Sequence, residues 1–177
     1  MNEFGDDNGF RRRAMNQQQQ DLMIDLVSYR ISKDCFLESL FKGGDIPEDY
    51  LRAELETALE IKDADSLECL LIFGAVFGYT QDCADVLCRL LVEDWHISHE
   101  NIARELKVFR YPGAVDYLFK TALTRYPYIA SEHALGVKCI YALHEIGTDK
   151  AREKLQLLAK VDNAEMSERA RHLLARV

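Results

Sequence analysis

Only three prolines and nine glycines punctuate the 177 residues of this chain. So few breakers leave room for long helices, since Gly and Pro are the residues a helix tolerates least. Sustained period-two alternation is missing as well, so strands are not expected. No uninterrupted apolar run reaches the ~18 residues a membrane span needs. Met1 to Ala14 are polar and lack the apolar stretch of a secretory signal. The five cysteines, Cys35, Cys69, Cys83, Cys88 and Cys139, are odd in number and contain no CxxC. That excludes a redox pair or a zinc knuckle and suits a reducing cytosol, where free Cys packs as a small hydrophobe. No G-x-S-x-G, H-E-x-x-H or Gly-rich phosphate loop is present.

What is present is an unevenly placed excess of acid. Residues 1–65 hold 8 Lys/Arg against 15 Asp/Glu, residues 66–130 hold 6 against 8, and residues 131–177 hold 8 against 7. The net charge of −8 therefore sits in the N-terminal third. Nucleic acid needs clustered Lys/Arg and is disfavoured as a direct partner, whereas a basic protein would be attracted.

Apolar spacing organises the chain into roughly nine to ten helices. Residues 1–16, with Arg11-Arg12-Arg13, read as a disordered arm. Leu22, Leu26 and Tyr29 then form a stripe on a first helix. Ser32 stands as a cap before Phe36, Leu37 and Leu40, and Gly43-Gly44 ends that helix. Asp45-Ile46-Pro47 reads as the next start, with Pro in a first turn. Leu51, Leu55 and Leu59 follow, with Glu48, Asp49, Glu54 and Glu56 off their stripe.

From residue 66 the pattern repeats. Leu67, Leu70, Leu71 and Phe77 run to Gly78. Thr80 is placed to cap Val86, Leu87 and Leu90, and Ser98 to cap Ile102, Leu106 and Phe109. Pro112-Gly113 turns into Val115 and Leu118. After Tyr126-Pro127-Tyr128 come Leu135, Cys139 and Leu143, then Gly147-Thr148, Leu155 and Leu158. Asp162-Asn163 precedes a final stripe ending at Val177. Gly78, Gly113 and Gly147 are spaced by 35 and 34, while Ala84, Ala114 and Ala151 are spaced by 30 and 37. Helix pairs with variable linkers fit both series. The expected architecture is an all-α, solenoid-like stack of antiparallel helix pairs, with 17–177 a single helical domain: an acidic helical cap over 17–65 and repeats over 66–177.

The stretch Ala142-Leu143-His144-Glu145-Ile146-Gly147-Thr148-Asp149-Lys150-Ala151, followed by Leu155 and Leu158, resembles the HEAT-like repeat of bacterial proteins, A-L-x-x-I-G-(T/D)-x-x-A. Residues 100–123 and 66–92 resemble it more loosely. Such repeats occur in bilin lyases, in adaptors, and in small immunity proteins of contact-dependent growth inhibition and related systems. Size, acidity and lone-domain organisation are most similar to the immunity group. The resemblance implies a cytoplasmic protein that binds a toxin domain, a basic nuclease, and occludes its active site. Other expectations are a scaffold or adaptor, or a bilin lyase-like enzyme with a chromophore pocket and a reactive residue.

Individual residues were weighed for chemistry. His96 and His99 form a His-x-x-His, but Ser98 between them suggests a helix cap, which places both in an exposed loop and argues against a metal. Cys139, between His133 and His144, reads as a packing residue rather than a nucleophile. Glu48, Asp49, Glu54, Glu56 and Glu60 read as solvated rather than paired for acid–base work. The expectation is a binding protein with no catalytic residue, cofactor or metal. Asp45, Glu48, Asp49, Glu54 and Glu56 would steer the partner. Trp95, Tyr111 and Tyr128, at helix ends and linkers with Arg110 beside them, would anchor it, since Trp, Tyr and Arg dominate hot spots.

Overall fold

The computed structural model describes residues 13–41, 44–129, 131 and 133–176. The described chain is all-α. It contains α1 (Gln17–Val27), α2 (Lys33–Leu40), α3 (Tyr50–Ile61), α4 (Ala64–Phe77), α5 (Cys83–Leu90), α6 (His99–Phe109), α7 (Val115–Leu123), α8 (Ala134–Ile146), α9 (Asp149–Leu158) and α10 (Ala164–Leu174). A 3₁₀ turn, Pro112–Ala114, leads into α7. No helix among the described residues is long and apolar enough to cross a membrane.

Packing follows chain order. α1 lies on α2 and α4, α3 on α4 and α5, α5 on α6, and α9 and α10 on each other. α8 is the hub, covered by α6, α7, α9 and α10. Cys139, Ile140, Ala142 and Leu143 on α8 are fully buried. Burying one such leucine contributes about 2 kcal/mol.

Several caps form as their side chains dictate. Ser32 accepts from the Cys35 N–H at 3.1 Å, Thr148 from Ala151 at 3.2 Å and Asn163 from Met166 at 3.0 Å. Others differ from expectation. Thr80 does not cap α5; its hydroxyl lies 3.5 Å from Cys83 Sγ and Asp82 is the N-cap. Ser98 is the N-cap of α6 by position but makes no side-chain cap bond. Pro47 precedes α3 rather than opening it, its carbonyl accepting from Tyr50 N–H across a turn. The Gly43 stop and Val177 at the end of the last stripe lie outside the described residues.

The expected arm over 1–16 is only partly within the described residues, since 1–12 lie outside them. Its end belongs to the fold. Met15 is fully buried, and its N–H donates to Ser66 Oγ at 2.9 Å. The Gln20 amide donates to the Met15 carbonyl, and the Ser66 hydroxyl donates to Asp63 at 2.6 Å. This knot ties α1 to the start of α4. Asn16 then caps α1 in a capping box with Gln19.

The three turn glycines do different work. Gly147 ends α8 in the left-handed region at φ 67°, where a Cβ is disfavoured. Gly113 is not left-handed; a Cβ there would fall 2.5 Å from the Tyr111 ring. The residue that ends α6 as Gly147 ends α8 is Arg110, at φ 51°. Arg110 and Gly147 are 37 residues apart, the spacing of Ala114 and Ala151. The helix ends therefore follow the alanine register, not the glycine one.

Candidate protein-binding site

The sequence places candidate residues in two groups, and the structure keeps them apart. The acidic group lies around α3. Asp45, Glu48 and Asp49 are exposed in the turn before it, and Glu54 and Glu56 are half-buried along it. The stripe Leu51, Leu55 and Ala58 takes the buried face, so the carboxylates are left to the outer ones. Asp49 pairs with Arg52 at 3.4 Å, and Glu56 takes Arg89 of α5 at 2.7 Å. Among the described residues Asp45 and Glu48 have no ion pair. Glu54 acts on its neighbour: the Tyr50 phenol is pushed up to about 12, first by burial and then by the Glu54 charge.

The aromatic group divides again. Arg110 and Tyr111 sit at the end of α6. The Arg110 guanidinium donates to Glu145 of α8 at 2.7 Å, and the Tyr111 hydroxyl donates to Asp85 of α5 at 2.7 Å. Both polar tips are thus committed within the fold. Trp95 is half-buried, and its indole N–H donates to Glu93 at 2.9 Å. It meets the His96 ring edge-on at 4.9 Å between centroids. Tyr128 is 40% exposed, and its hydroxyl lies 2.5 Å from His99 Nδ1.

Trp95 and Tyr128 therefore flank a pair of histidines, and here the sequence reading is corrected. His96 and His99 are buried, not exposed in a loop, and His99 opens α6. Their rings stack at 4.4 Å, and Tyr126 packs on His99 at 3.8 Å. The cause lies at the end of α5, where carbonyls lack helical partners. His96 Nε2 meets the Leu90 carbonyl at 2.9 Å, and His99 Nε2 meets the Glu93 carbonyl at 2.7 Å. The Thr121 and Tyr126 hydroxyls both donate to the Leu91 carbonyl. Only a protonated Nε2 can donate to a carbonyl. The Nδ1 atoms are then acceptors, from Ser98 N–H at 3.1 Å and from the Tyr128 hydroxyl. Both rings are neutral Nε2–H tautomers with every nitrogen occupied.

Electrostatics agree with that geometry. Burial, and then the neighbouring His96, pushes His99 down to about 4, against the pull of its bond to the Glu93 carbonyl. Burial lowers His96 as well, opposed by its Leu90 bond and by Glu93. A ring with no free lone pair neither ligates a metal nor takes a substrate proton. No cluster of three or more His, Cys, Asp or Glu that could hold a metal occurs among the described residues.

The chain matches no family model, no curated protein and no solved structure. Its chemistry is therefore read from its own atoms. Cys139 lies in the core of α8, where burial raises its thiol far above the ordinary range. Burial and then Asp85 push Cys88 up to about 12. His133 sits at the start of α8, 2.6 Å from Glu165 of α10, and His144 near its end. No Cys–His pair is assembled from these three.

The sequence reading missed one residue of this surface. Tyr29 was expected on the buried stripe of α1 with Leu22 and Leu26. It lies beyond the helix end, at φ 57°, with 94% of its surface exposed. The spacing is correct for a helix that continues to residue 29, but α1 ends at Val27.

Proposed function

We propose that this protein is an inhibitor that works by docking on a basic toxin domain in the cytoplasm. In this reading the HEAT-like helix pairs of residues 66–177 stack as a short solenoid, and the acidic helices before them face the partner. The partner is the toxic C-terminal domain of a contact-dependent growth inhibition effector or a related protein, a basic nuclease. Contact covers its active-site cleft.

One observation carries the reading. Residues 17–68 hold 13 Asp/Glu and 5 Lys/Arg, an excess equal to the whole net charge of the chain. α3 keeps its leucines inward and holds its carboxylates on the outer faces, so that excess meets a partner without unfolding anything. Opposed charge of this kind speeds encounter more than it tightens the complex. Tyr128, held by His99 and partly exposed, is a pre-oriented anchor. The commitment of both histidines to backbone carbonyls supports binding over catalysis.

The test uses the C-terminal domain of the exported protein encoded directly upstream of this chain. Co-expression is expected to restore growth of cells making that domain, and the two purified proteins to co-elute. Raising salt from about 50 to 300 mM is expected to slow association by about tenfold or more. Charge reversal of Glu48 and Asp49 to Lys is expected to do the same at low salt. Absence of a complex between the purified proteins overturns the proposal.

A further inference from the structure

Tyr29 sits where its side chain does nothing for the fold. It closes α1 in a Schellman arrangement, its N–H donating to the Leu26 carbonyl at 3.1 Å and the Arg30 N–H to the Asp25 carbonyl at 2.9 Å. The residue in this place adopts left-handed backbone, here φ 57°, which favours glycine and disfavours any residue with a Cβ. The ring gains no packing in exchange, being 94% exposed. A strained backbone carrying an exposed aromatic points to a role outside the monomer's own stability.

A groove opens beside it. A cavity of about 400 Å³ lies between the α1–α2 turn and the end of α4, lined chiefly by Leu26, Val27, Tyr29, Ile31, Ala75 and Val76. Ile24, 51% exposed, and Val27, 43% exposed, lie one turn apart on α1 and extend the apolar surface. Asp21 and Asp25 on α1, with Asp34 and Glu38 on α2, supply the charge around it. Two cations share this region, and both are used within the fold. Arg30 pairs with Asp25 at 3.0 Å. Lys33 Nζ donates to the Val76 carbonyl at 2.9 Å and lies over the Phe77 ring. Asp34 and Glu38 have no ion pair among the described residues.

We propose that this groove docks a basic amphipathic helix of the partner protein, with Tyr29 packing over the helix. Leucine-type residues of the helix fill the groove while its Lys and Arg face Asp34, Glu38 and Asp21. A second copy of this chain fits the face less well, because it brings the same carboxylates against their like. The inference rests on the reading that the chain binds a basic protein, and it moves the apolar contact from Trp95 and Tyr111 to α1 and α2.

The probe is a labelled Leu/Lys peptide of roughly 18 residues with helical spacing, measured against the full chain by fluorescence anisotropy. A Leu/Glu peptide of the same apolar pattern is the comparison. The Leu/Lys peptide is expected to bind at least about tenfold more tightly. Tyr29→Gly is expected to weaken binding about tenfold while leaving the melting temperature equal or higher, since glycine suits the helix end. Equal binding of the two peptides, or undiminished binding by Tyr29→Gly, overturns the proposal. So does a dimer in sedimentation that Tyr29→Gly dissociates, because a second copy would then be the occupant. If the upstream toxin domain is not bound but the peptide binds and depends on Tyr29, the inhibitor reading falls and the groove stands. If Tyr29→Gly binds the toxin domain with full affinity, the groove falls and the inhibitor reading stands.

Discussion

Acidification should unfold this protein through His99 before carboxylate protonation is complete. The ring is fully buried and neutral, with a folded-state value near 4 against an ordinary 6.5. Above pH 6.5 neither the folded nor the unfolded state carries the proton, and the His99 contribution is constant. Between pH 6.5 and 4 the unfolded chain binds a proton that the folded one refuses, so stability falls as pH falls. Below about 4 both states are protonated and the loss stops. Each unit is worth about 1.4 kcal/mol, so the interval costs roughly 3 kcal/mol. His96 is lowered in the same direction and adds to it. Against a typical total of about 5–15 kcal/mol this is a large share. It corresponds to a fall in melting temperature of roughly 6–12 °C.

The assay is urea unfolding followed by circular dichroism at pH 7.5, 6.5, 5.5 and 4.5, for the wild type and His99→Phe. Carboxylate effects are common to both and cancel in the difference. At pH 7.5 the variant is expected to be less stable by about 1–3 kcal/mol, since the Glu93 carbonyl and the Tyr128 hydroxyl lose their partner. The gap should then close, and cross over, as pH falls through the interval. A gap that stays constant from pH 6.5 to 4.5 refutes the buried neutral histidine.

Three further outcomes follow from single contacts. Ser66→Ala removes the acceptor of the buried Met15 N–H and is expected to cost about 1–3 kcal/mol in urea unfolding, with slower-exchanging α1 amides becoming fast. The Tyr50 hydroxyl is buried without a partner amid the rings of Phe41 and Phe73, so Tyr50→Phe is expected to raise stability by up to about 1 kcal/mol; a clear loss would reveal a partner for it. Lys62 ends α3 at φ 54° and Gly147 ends α8 at φ 67°, so Lys62→Gly should stabilise, and Gly147→Ala destabilise, by about 1 kcal/mol each in thermal melts.

Features decided within a turn of helix were legible in the sequence. Ser32, Thr148 and Asn163 cap because a short side-chain oxygen reaches an N–H three residues on, whatever the tertiary context. The Leu67, Leu70, Leu71 stripe and the end of α4 at Gly78 were legible for the same reason. What failed was decided at long range. Ser98 resembles a cap, but the competing attraction for the nearby imidazoles was a set of unfilled carbonyls at the end of α5, invisible without the chain folded back. Met15 read as part of an arm because its partner, Ser66, is 51 residues away. Tyr29 fitted a stripe by spacing, and only the helix end two residues earlier takes it out. The steering carboxylates were placed correctly on outer faces, whereas the polar tips of Trp95, Arg110 and Tyr111 turned out to bond inward.

The position of α8 has a consequence for motion. With α6, α7, α9 and α10 all packed on it, none of these can leave without exposing Cys139, Ile140 or Leu143, so this half of the chain opens as one cooperative unit. α1 and α2 meet the rest chiefly through α4, by the Met15–Ser66 knot and the Phe36, Phe73 and Phe77 rings. They can detach while the hub stays closed. Tyr29 and its groove thus ride on the segment with the smallest opening free energy, and a partner seated there would be felt as slowed amide exchange across α1 and α2 with little change in α8.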